Sequence, residues 1–453
     1  MGRHRIRAIH LALMSLALTS CVAYEPRPLN PEMLIFEVNA ARQVKPTNSG
    51  KALTFAQTVA TMRESGPDIR EAEAAYKTAS ARASKDTPLP NPNIKFGPTF
   101  EIGSDVQGRA LGGIAGVGIT VPLGGRLAAM DDLNQLRAEV ARIETAAIYR
   151  ELYIELRRRW VRVISAQTML DTQKSLVDSV NRSLTTSQRL VEAGSATATD
   201  VALFELERGR AKATMFEIGA RLATARAKIS RLVGINAASF RDLDTSAMPA
   251  LPTTIPNQDQ LRSALVEGHP NLIRLSAAYE EAESALRLEI ARQYPDLQIG
   301  PLLTDESGEQ KIVLGLTLGI ELPIFDRNQQ AVAESTARRE EVRIRYEAEA
   351  NRTLNHLDEA LVALGLSIQR HKALRDKVLP AAKRSIKIAR DALGAGSGGI
   401  LRLLQAERSY GEILMDVKAA ALAECEAWIE IELATGQPIL DLGDTPLEGA
   451  NRQ

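Results

Sequence analysis

The sequence predicts a mainly α-helical fold with two short pairs of β-strands, built from a unit of two strands and a long helix that occurs twice. Three observations carry this expectation. Landmark residues recur at a spacing of about 202, the mark of a duplicated supersecondary unit. Two regions, 93–122 and 296–323, alternate apolar with small or polar residues at the strand period. And the stretch 126–193 contains a break-free run ending only at its closing Gly194 turn. In the repeat, Pro67 meets Pro270, Ala75-Tyr76 meets Ala278-Tyr279, Pro92 meets Pro295 and Gly97-Pro98 meets Gly300-Pro301. Further on, Pro122 returns as Pro323, Arg126 as Arg327, Glu205 as Glu407 and Gly234 as Gly436. Such a chain is expected to form a pseudo-symmetric object whose halves face the same environment.

At the N-terminus, Arg3, Arg5 and Arg7 precede an apolar run from Leu11 to Leu18, the pattern of an export signal over 1–20. The run is too short to span a bilayer. Leu18-Thr19-Ser20-Cys21 resembles the bacterial lipobox, which implies acylation of Cys21. Val22 rather than Asp after the cysteine implies sorting to the outer membrane. An ordinary signal peptide with a chance cysteine is the alternative. Acyl chains contribute about 0.8 kcal/mol per buried CH2, so they anchor without a transmembrane helix. Residues 21–50, rich in Pro, Asn and Ser and without periodicity, read as a tether. The first repeat is assigned to 51–250, the second to 251–440 and a tail to 441–453.

Thr54 is placed to cap a helix over 54–64, and Pro67 takes the favoured first turn of another reaching about Lys85. Pro88, Pro90 and Pro92 then end helical pairing. Over 93–103, Ile94, Phe96, Pro98, Phe100 and Ile102 alternate with Lys95, Gly97, Thr99, Glu101 and Gly103. Over 112–122, Ala115, Val117, Ile119 and Val121 alternate with Gly116, Gly118 and Thr120. The second copy places strands at 296–304 and 311–323, the latter setting Leu314 to Leu322 against Gly315, Thr317, Gly319 and Glu321. Strands of roughly ten residues suit a tilted bilayer crossing. A soluble sandwich would alternate in the same way. Four strands, however, leave two open edges, which lipid does not tolerate, so a membrane role requires several copies to pool strands.

A helix over 126–193 would be on the order of 100 Å long, and a shorter one follows over 196–233. The second copy predicts a long helix over 328–393, interrupted at Gly365 and kinked at Pro380, then a short one over 399–435. A long helix and a short partner pack evenly only if another short helix stacks end to end with the partner; 67–85 and 270–293 have the missing length. Leu152, Leu156, Val163 and Leu170 form a narrow stripe, as in a coiled-coil seam, which fits a wall one helix thick and wet on both sides.

Lys plus Arg equals Asp plus Glu at 56 each and aromatics are 4% of the chain, so neither field nor base stacking favours nucleic acid. No enzymatic or cofactor motif is evident beyond the covalent lipid on Cys21. His4 and His10 lie in the signal, and His269, His356 and His371 lack metal-ligand spacing, with His269 reading as a helix-entry residue. Gly112–Gly118 leads into a strand, and Gly394–Gly399 lacks the Lys-Ser/Thr of a P-loop. Arg157-Arg158-Arg159 and Arg338-Arg339-Glu340-Glu341 read as solvated helix faces. With Cys21 acylated, Cys425 is the only remaining thiol, which leaves no intrachain disulfide.

The duplicated unit, the strand entry Pro90-Asn91-Pro92, the long helices and the Ala-Gly-Ser turns resemble the TolC-type outer-membrane factor family over nearly all of the mature chain. Leu322-Pro323-Ile324-Phe325-Asp326-Arg327-Asn328-Gln329 resembles its heavy-metal (cobalt-zinc-cadmium type) efflux branch. The resemblance implies a homotrimer whose pooled strands close a twelve-stranded barrel in the outer membrane, continuing into a periplasmic α-helical tunnel. It implies a passive duct in a tripartite efflux system, with a periplasmic adaptor and an inner-membrane pump of the RND type as partners and heavy-metal cations as cargo. A duct for type I protein secretion, or a lipid-anchored periplasmic coiled-coil scaffold without transport, are the alternatives. It also implies that Ala193, Gly194 and Ser195, with Ala395, Gly396 and Ser397, form the adaptor-docking tips, and that Asp200, Arg402 and Gln405 occupy pore-constriction positions. Where the family places carboxylates, Arg402 and Gln405 depart from the pattern. Three copies of Arg402 near an axis would weaken cation selectivity, unless Arg402 pairs with Glu407 or Asp200.

Overall fold

The computed structural model describes residues 24–43, 52–100, 111–240, 243–245, 248–306, 311–395 and 399–443. The signal segment and Cys21 lie outside them. Helix α1 (Pro31–Arg42) stands in a compact unit of its own. Asn30 accepts the Met33 N–H at 3.1 Å and Pro31 opens the first turn, so Asn-Pro is a start signal inside the stretch expected to be an aperiodic tether. That expectation is corrected: the tether holds a helix of 12 residues, all of them exposed.

The remaining unit begins with α2 (Phe55–Ser65) in a reciprocal capping box. Thr54 Oγ1 accepts the Gln57 N–H at 3.3 Å, and Gln57 Oε1 accepts the Thr54 N–H at 3.1 Å. Then come α3 (Pro67–Ala83), β1 (Asn93–Phe100), β2 (Leu111–Pro122), α4 (Arg126–Glu192) and α5 (Ala198–Val233). Residues 101–103 of the expected first strand lie outside the described residues. The second copy comprises α6 (Gln258–Gly268), α7 (Pro270–Ala291), β3 (Asp296–Glu306), β4 (Lys311–Ile320), α8 (Gln329–Ala373), α9 (Leu379–Gly394) and α10 (Ile400–Thr435). Helix α6 is the partner of α2 in the repeat and was not anticipated, although Asn257 caps it by accepting the Asp259 N–H at 3.1 Å.

Helix α4 runs unbroken for 67 residues, about 100 Å at the α-helical rise. The expected break at Gly365 is absent: the residue sits inside α8 facing open space, where a glycine costs only about 1 kcal/mol relative to alanine. The irregularity is a π-helical turn, Leu374–Val378, just ahead of Pro380 in the first turn of α9. Widening that turn accommodates a ring that has no N–H and crowds the carbonyl one turn back. The strand β4 ends at Ile320 rather than 323.

The four strands form one antiparallel sheet in the order β1-β2-β3-β4. Ile94 faces Val117 across β1–β2, Val121 faces Leu297 across β2–β3, and Ile299 faces Leu318 across β3–β4. Directly opposed residues share a face, so the register gathers Ile94, Phe96, Val117, Ile119, Leu316 and Leu318 on one side. Lys95, Gly116, Gly118, Gln298 and Thr317 fall on the other. Gly300 lies so close to β2 that a Cβ would collide with the Val117 carbonyl. Among the described residues no second layer covers the apolar face: Phe96 is 84% exposed and Leu316 67%. The soluble-sandwich alternative, which requires that face to be buried, therefore fails.

The main core lies where α2 and α6 flank the long helices. Phe55 and Met62 pack with Tyr153, Leu156 and Trp160 of α4, Leu357 and Leu364 of α8, and Trp428 and Ile431 of α10. At its centre Arg157 and Glu432 are both fully excluded from water. Arg157 Nε donates to Glu432 Oε2 at 2.8 Å and a terminal nitrogen to Oε1 at 2.9 Å. The guanidinium also donates to Tyr153 Oη and to the Leu440 carbonyl, and it lies over the Phe55 and Tyr153 rings. Glu432 Oε1 accepts the N–H groups of Ile439 and Leu440, each at 2.7 Å. The reading of Arg157-Arg158-Arg159 as a solvated face is thus wrong for Arg157. The other two are partly exposed, Arg158 binding Glu430 and Arg159 binding Glu155. Within the single chain the copies are also unequally buried: α5 buries seven residues and α10 seventeen.

Removing one member of a desolvated pair leaves the other charge uncompensated. Arg157→Ala should cost about 3–5 kcal/mol, whereas Arg158→Ala, at a partly exposed pair, should cost about 1 kcal/mol or less. Denaturant unfolding of the purified variants in detergent measures both, and equal losses would refute the assignment.

Candidate functional site: the hairpin tips and the sheet

At the end of α4 the chain reverses through a glycine cap. Ala193 N–H donates to Arg189 O at 3.0 Å, Gly194 N–H to Val191 O at 2.9 Å and Ser195 N–H to Leu190 O at 2.7 Å. Gly194 has φ +73°, and a Cβ added there would meet nothing within 4 Å. Glycine is demanded by the backbone and leaves a bare surface. Thr197 then caps α5: Asp200 Oδ2 accepts from the Thr197 N–H at 2.9 Å and from its hydroxyl at 2.7 Å. The Asp200 carboxylate is therefore held in a capping box, a role the sequence reading did not assign to it.

The second hairpin runs from α9 through Ala395, whose N–H donates to Asp391 O at 3.0 Å, to Gly399 ahead of α10. Gly396 and Ser397 lie outside the described residues. One apolar cluster, Val180, Leu184, Phe204, Ile400, Leu403 and Leu404, ties both hairpins together near their ends. On α10, Arg402 is exposed just ahead of the buried Leu403 and Leu404, and Gln405 is exposed between these and the buried Ala406 and Glu407. The expected alternative pairing of Arg402 with Glu407 or Asp200 is not formed. Asp200 is engaged by Thr197, and Glu407 by Ser183 and Arg390. Among the described residues Arg402 has no ion-pair partner.

Glu407 is buried with one oxygen satisfied: Ser183 Oγ donates to Oε1 at 2.6 Å, and the Arg390 guanidinium stands 3.4 Å from it. Oε2 has no partner among the described residues. Burial pushes this carboxyl above its ordinary value, against the opposing pull of Ser183 and Arg390. Its repeat counterpart Glu205 is exposed. Sequence reasoning also missed His371 Nδ1, 2.6 Å from Glu424 Oε2, because the partners are 53 positions apart and share no local signal. His269 is the junction between α6 and α7, as expected of a helix-entry residue, and burial lowers its pKa. Burial pushes the Cys425 thiol up to about 12, which makes it unreactive. Among the described residues no group of His, Cys, Asp or Glu is arranged to hold a metal ion.

The outer membrane efflux protein family matches residues 59–234 and 261–437, one block on each copy of the repeat. The chain is similar to the cobalt-zinc-cadmium resistance protein CzcC of Cupriavidus metallidurans, 25% identical over 323 residues, covering 71% of this chain and 75% of that one. Among solved structures it is similar to the outer-membrane channel OprN, with TM-score 0.69, 17% identity, and 92% and 98% of the two chains covered. It is also similar to the MtrE outer membrane channel of Neisseria gonorrhoeae, with TM-score 0.65, 16% identity, and 86% and 94% covered.

A carboxyl raised by burial lends stability that is complete below its ordinary value of 4.5 and is lost as pH rises through the raised value. Glu407→Gln, which mimics the protonated form, should therefore melt above the wild type near neutral pH, with the gap closing as the pH is lowered towards 4.5. Thermal melts across that range decide; a gap independent of pH would remove Glu407 as the cause.

Proposed function

Since this chain belongs to the outer membrane efflux protein family, we propose that three copies of it form the passive exit duct of a tripartite efflux system for heavy-metal cations. The observation that carries this reading is the sheet: one apolar face left bare, one lined by glycine and polar residues, and both edges open. Three such sheets close into a barrel with no free edge, with the apolar face towards lipid and the other towards a water-filled lumen. The long helices α4 and α8–α9 continue from the strands, so the barrel leads into a helical conduit. A lipid on Cys21 would hold the N-terminus in the same membrane.

The hairpin tips lie at the far ends of those helices. Their small residues suit close approach by the hairpin of a periplasmic adaptor, through which an inner-membrane pump of the RND type delivers cargo. Heavy-metal cations fit the segment 322–329 and the resistance described for the similar CzcC protein. Selection of the ion falls to the pump, because a duct conducts best when its wall binds weakly. Arg402, exposed near the second tip and free of an ion-pair partner among the described residues, sets the charge of the narrow end.

Purified protein in planar bilayers should give discrete conductance steps, and Arg402→Asp should shift the reversal potential towards cation preference. Absence of conductance would leave only a scaffold. Cells lacking the gene should become sensitive to zinc, cobalt or cadmium and be rescued by the intact gene. The double variant Gly194→Trp, Gly396→Trp should conduct in bilayers yet fail to rescue. Rescue by that variant would dismiss the tips as the docking site.

A further inference from the structure

The repeat supplies a register for the contact between copies that the single chain leaves unmade. Within the chain, the last residues of β2 extend past β1 and are held by β3 alone: Thr120 opposite Gln298, Val121 opposite Leu297 and Pro122 opposite Asp296. Just beyond this seam, Arg126 binds Asp296 at 3.0 Å. In the second copy the corresponding residues are Glu321, Leu322, Pro323 and Arg327, because Pro122 and Arg126 return as Pro323 and Arg327. Glu321 to Pro323 run past the end of β3 and have no strand partner in their own chain. Carrying Gln298, Leu297 and Asp296 back to the first copy, by the match of Gly97-Pro98 with Gly300-Pro301, gives Lys95, Ile94 and Asn93.

From this we infer that the free edge of β4 in one copy pairs antiparallel with β1 of the next, with Glu321 opposite Lys95, Leu322 opposite Ile94 and Pro323 opposite Asn93. The inference rests on the oligomeric duct proposed above and specifies how its seam closes. Three independent features of the chain agree with it. Glu321 and Lys95 are opposite charges, both exposed and both without an ion-pair partner among the described residues, where the internal seam has the neutral pair Thr120 and Gln298. A seam carrying such a pair joins β4 to β1 and disfavours joining two like edges. Leu322 and Ile94, 64% and 73% exposed, continue the bare apolar face without a break. And Asn93, which packs over Gly118 in the single chain, carries a side-chain carbonyl at the position from which Asp296 receives Arg126 in the internal seam. Arg327 of the preceding copy would be the donor there. A shift of the seam by two residues in either direction moves Glu321 to Gly97 or Asn93 and loses the charge match.

The test is oxidative cross-linking in outer-membrane preparations of the full chain. Leu322→Cys with Ile94→Cys should run as disulfide-linked dimers and trimers on non-reducing gels, since opposed positions of an antiparallel pair lie within disulfide reach. Ile320→Cys with Ile94→Cys, displaced by two residues, should not. Should the cysteine variants fail to assemble, charge reversal reads the same contact. Glu321→Lys and Lys95→Glu should each lower the temperature at which the trimer dissociates, and the double reversal should restore it. A link at the displaced pair, no link at either, or single reversals without effect would overturn the register. Light scattering on the unmodified protein separates this from failure of the duct: a trimer with the wrong register sinks the seam alone, and a monomer sinks both.

Discussion

A guanidinium and a carboxylate, neither in contact with water, hold the two copies of this repeat together. Arg157 comes from the middle of the first long helix and Glu432 from the last helix, 275 positions apart. Desolvating both charges is expensive, and the arrangement is tolerable only because the remaining donors and acceptors are spoken for. The second guanidinium contact goes to the Leu440 carbonyl, and Glu432 in return receives the N–H groups of Ile439 and Leu440. The pair thereby also fixes where the chain goes after α10. Phe55 lies over the same guanidinium, so the short helix α2 is drawn into the assembly.

Why the core concentrates at this level follows from the rest of the wall. Towards the tips, among the described residues, one apolar cluster around Phe204 and Leu404 joins the hairpins. Towards the sheet they are laced by surface pairs such as Arg137 with Glu281 and Arg339 with Glu283, each of modest worth in water. A conduit wet on both faces cannot bury much more than this. The short helices α2 and α6 supply, outside the wall, the second layer that the wall lacks. The sheet has no such layer, and an outer-membrane efflux channel needs none, since lipid covers the apolar face.

Sequence duplication did not produce equivalent halves. Glu205 and Glu407 occupy the same repeat position, yet one is exposed and the other buried against Ser183 and Arg390. Helix α10 is packed by α4, α8 and α9, while much of α5 has α4 as its neighbour within the chain. The two hairpins differ in the same sense: the first tip is fastened by a capping box through Asp200, and the second opens on Gly399 with Arg402 exposed beyond it. A duct built on this plan alternates two kinds of wall segment around its axis.

What the sequence by itself determined is whatever depends on neighbours along the chain. Strand alternation, the glycine turn at Gly194, the cap at Thr54 and the run without Gly or Pro after Arg126 rest on local sterics and hydrogen bonding, and the structure has them where periodicity placed them. Asn30-Pro31 and Asn257 carried equally local start signals for α1 and α6, which the loop-like composition around them concealed. Only the tertiary structure decided which members of a charge run are buried, as with Arg157 against Arg158, and which of two repeated glutamates loses its water. Those outcomes turn on partners hundreds of positions away, and desolvation is a property of the whole packed surroundings that no local spacing encodes.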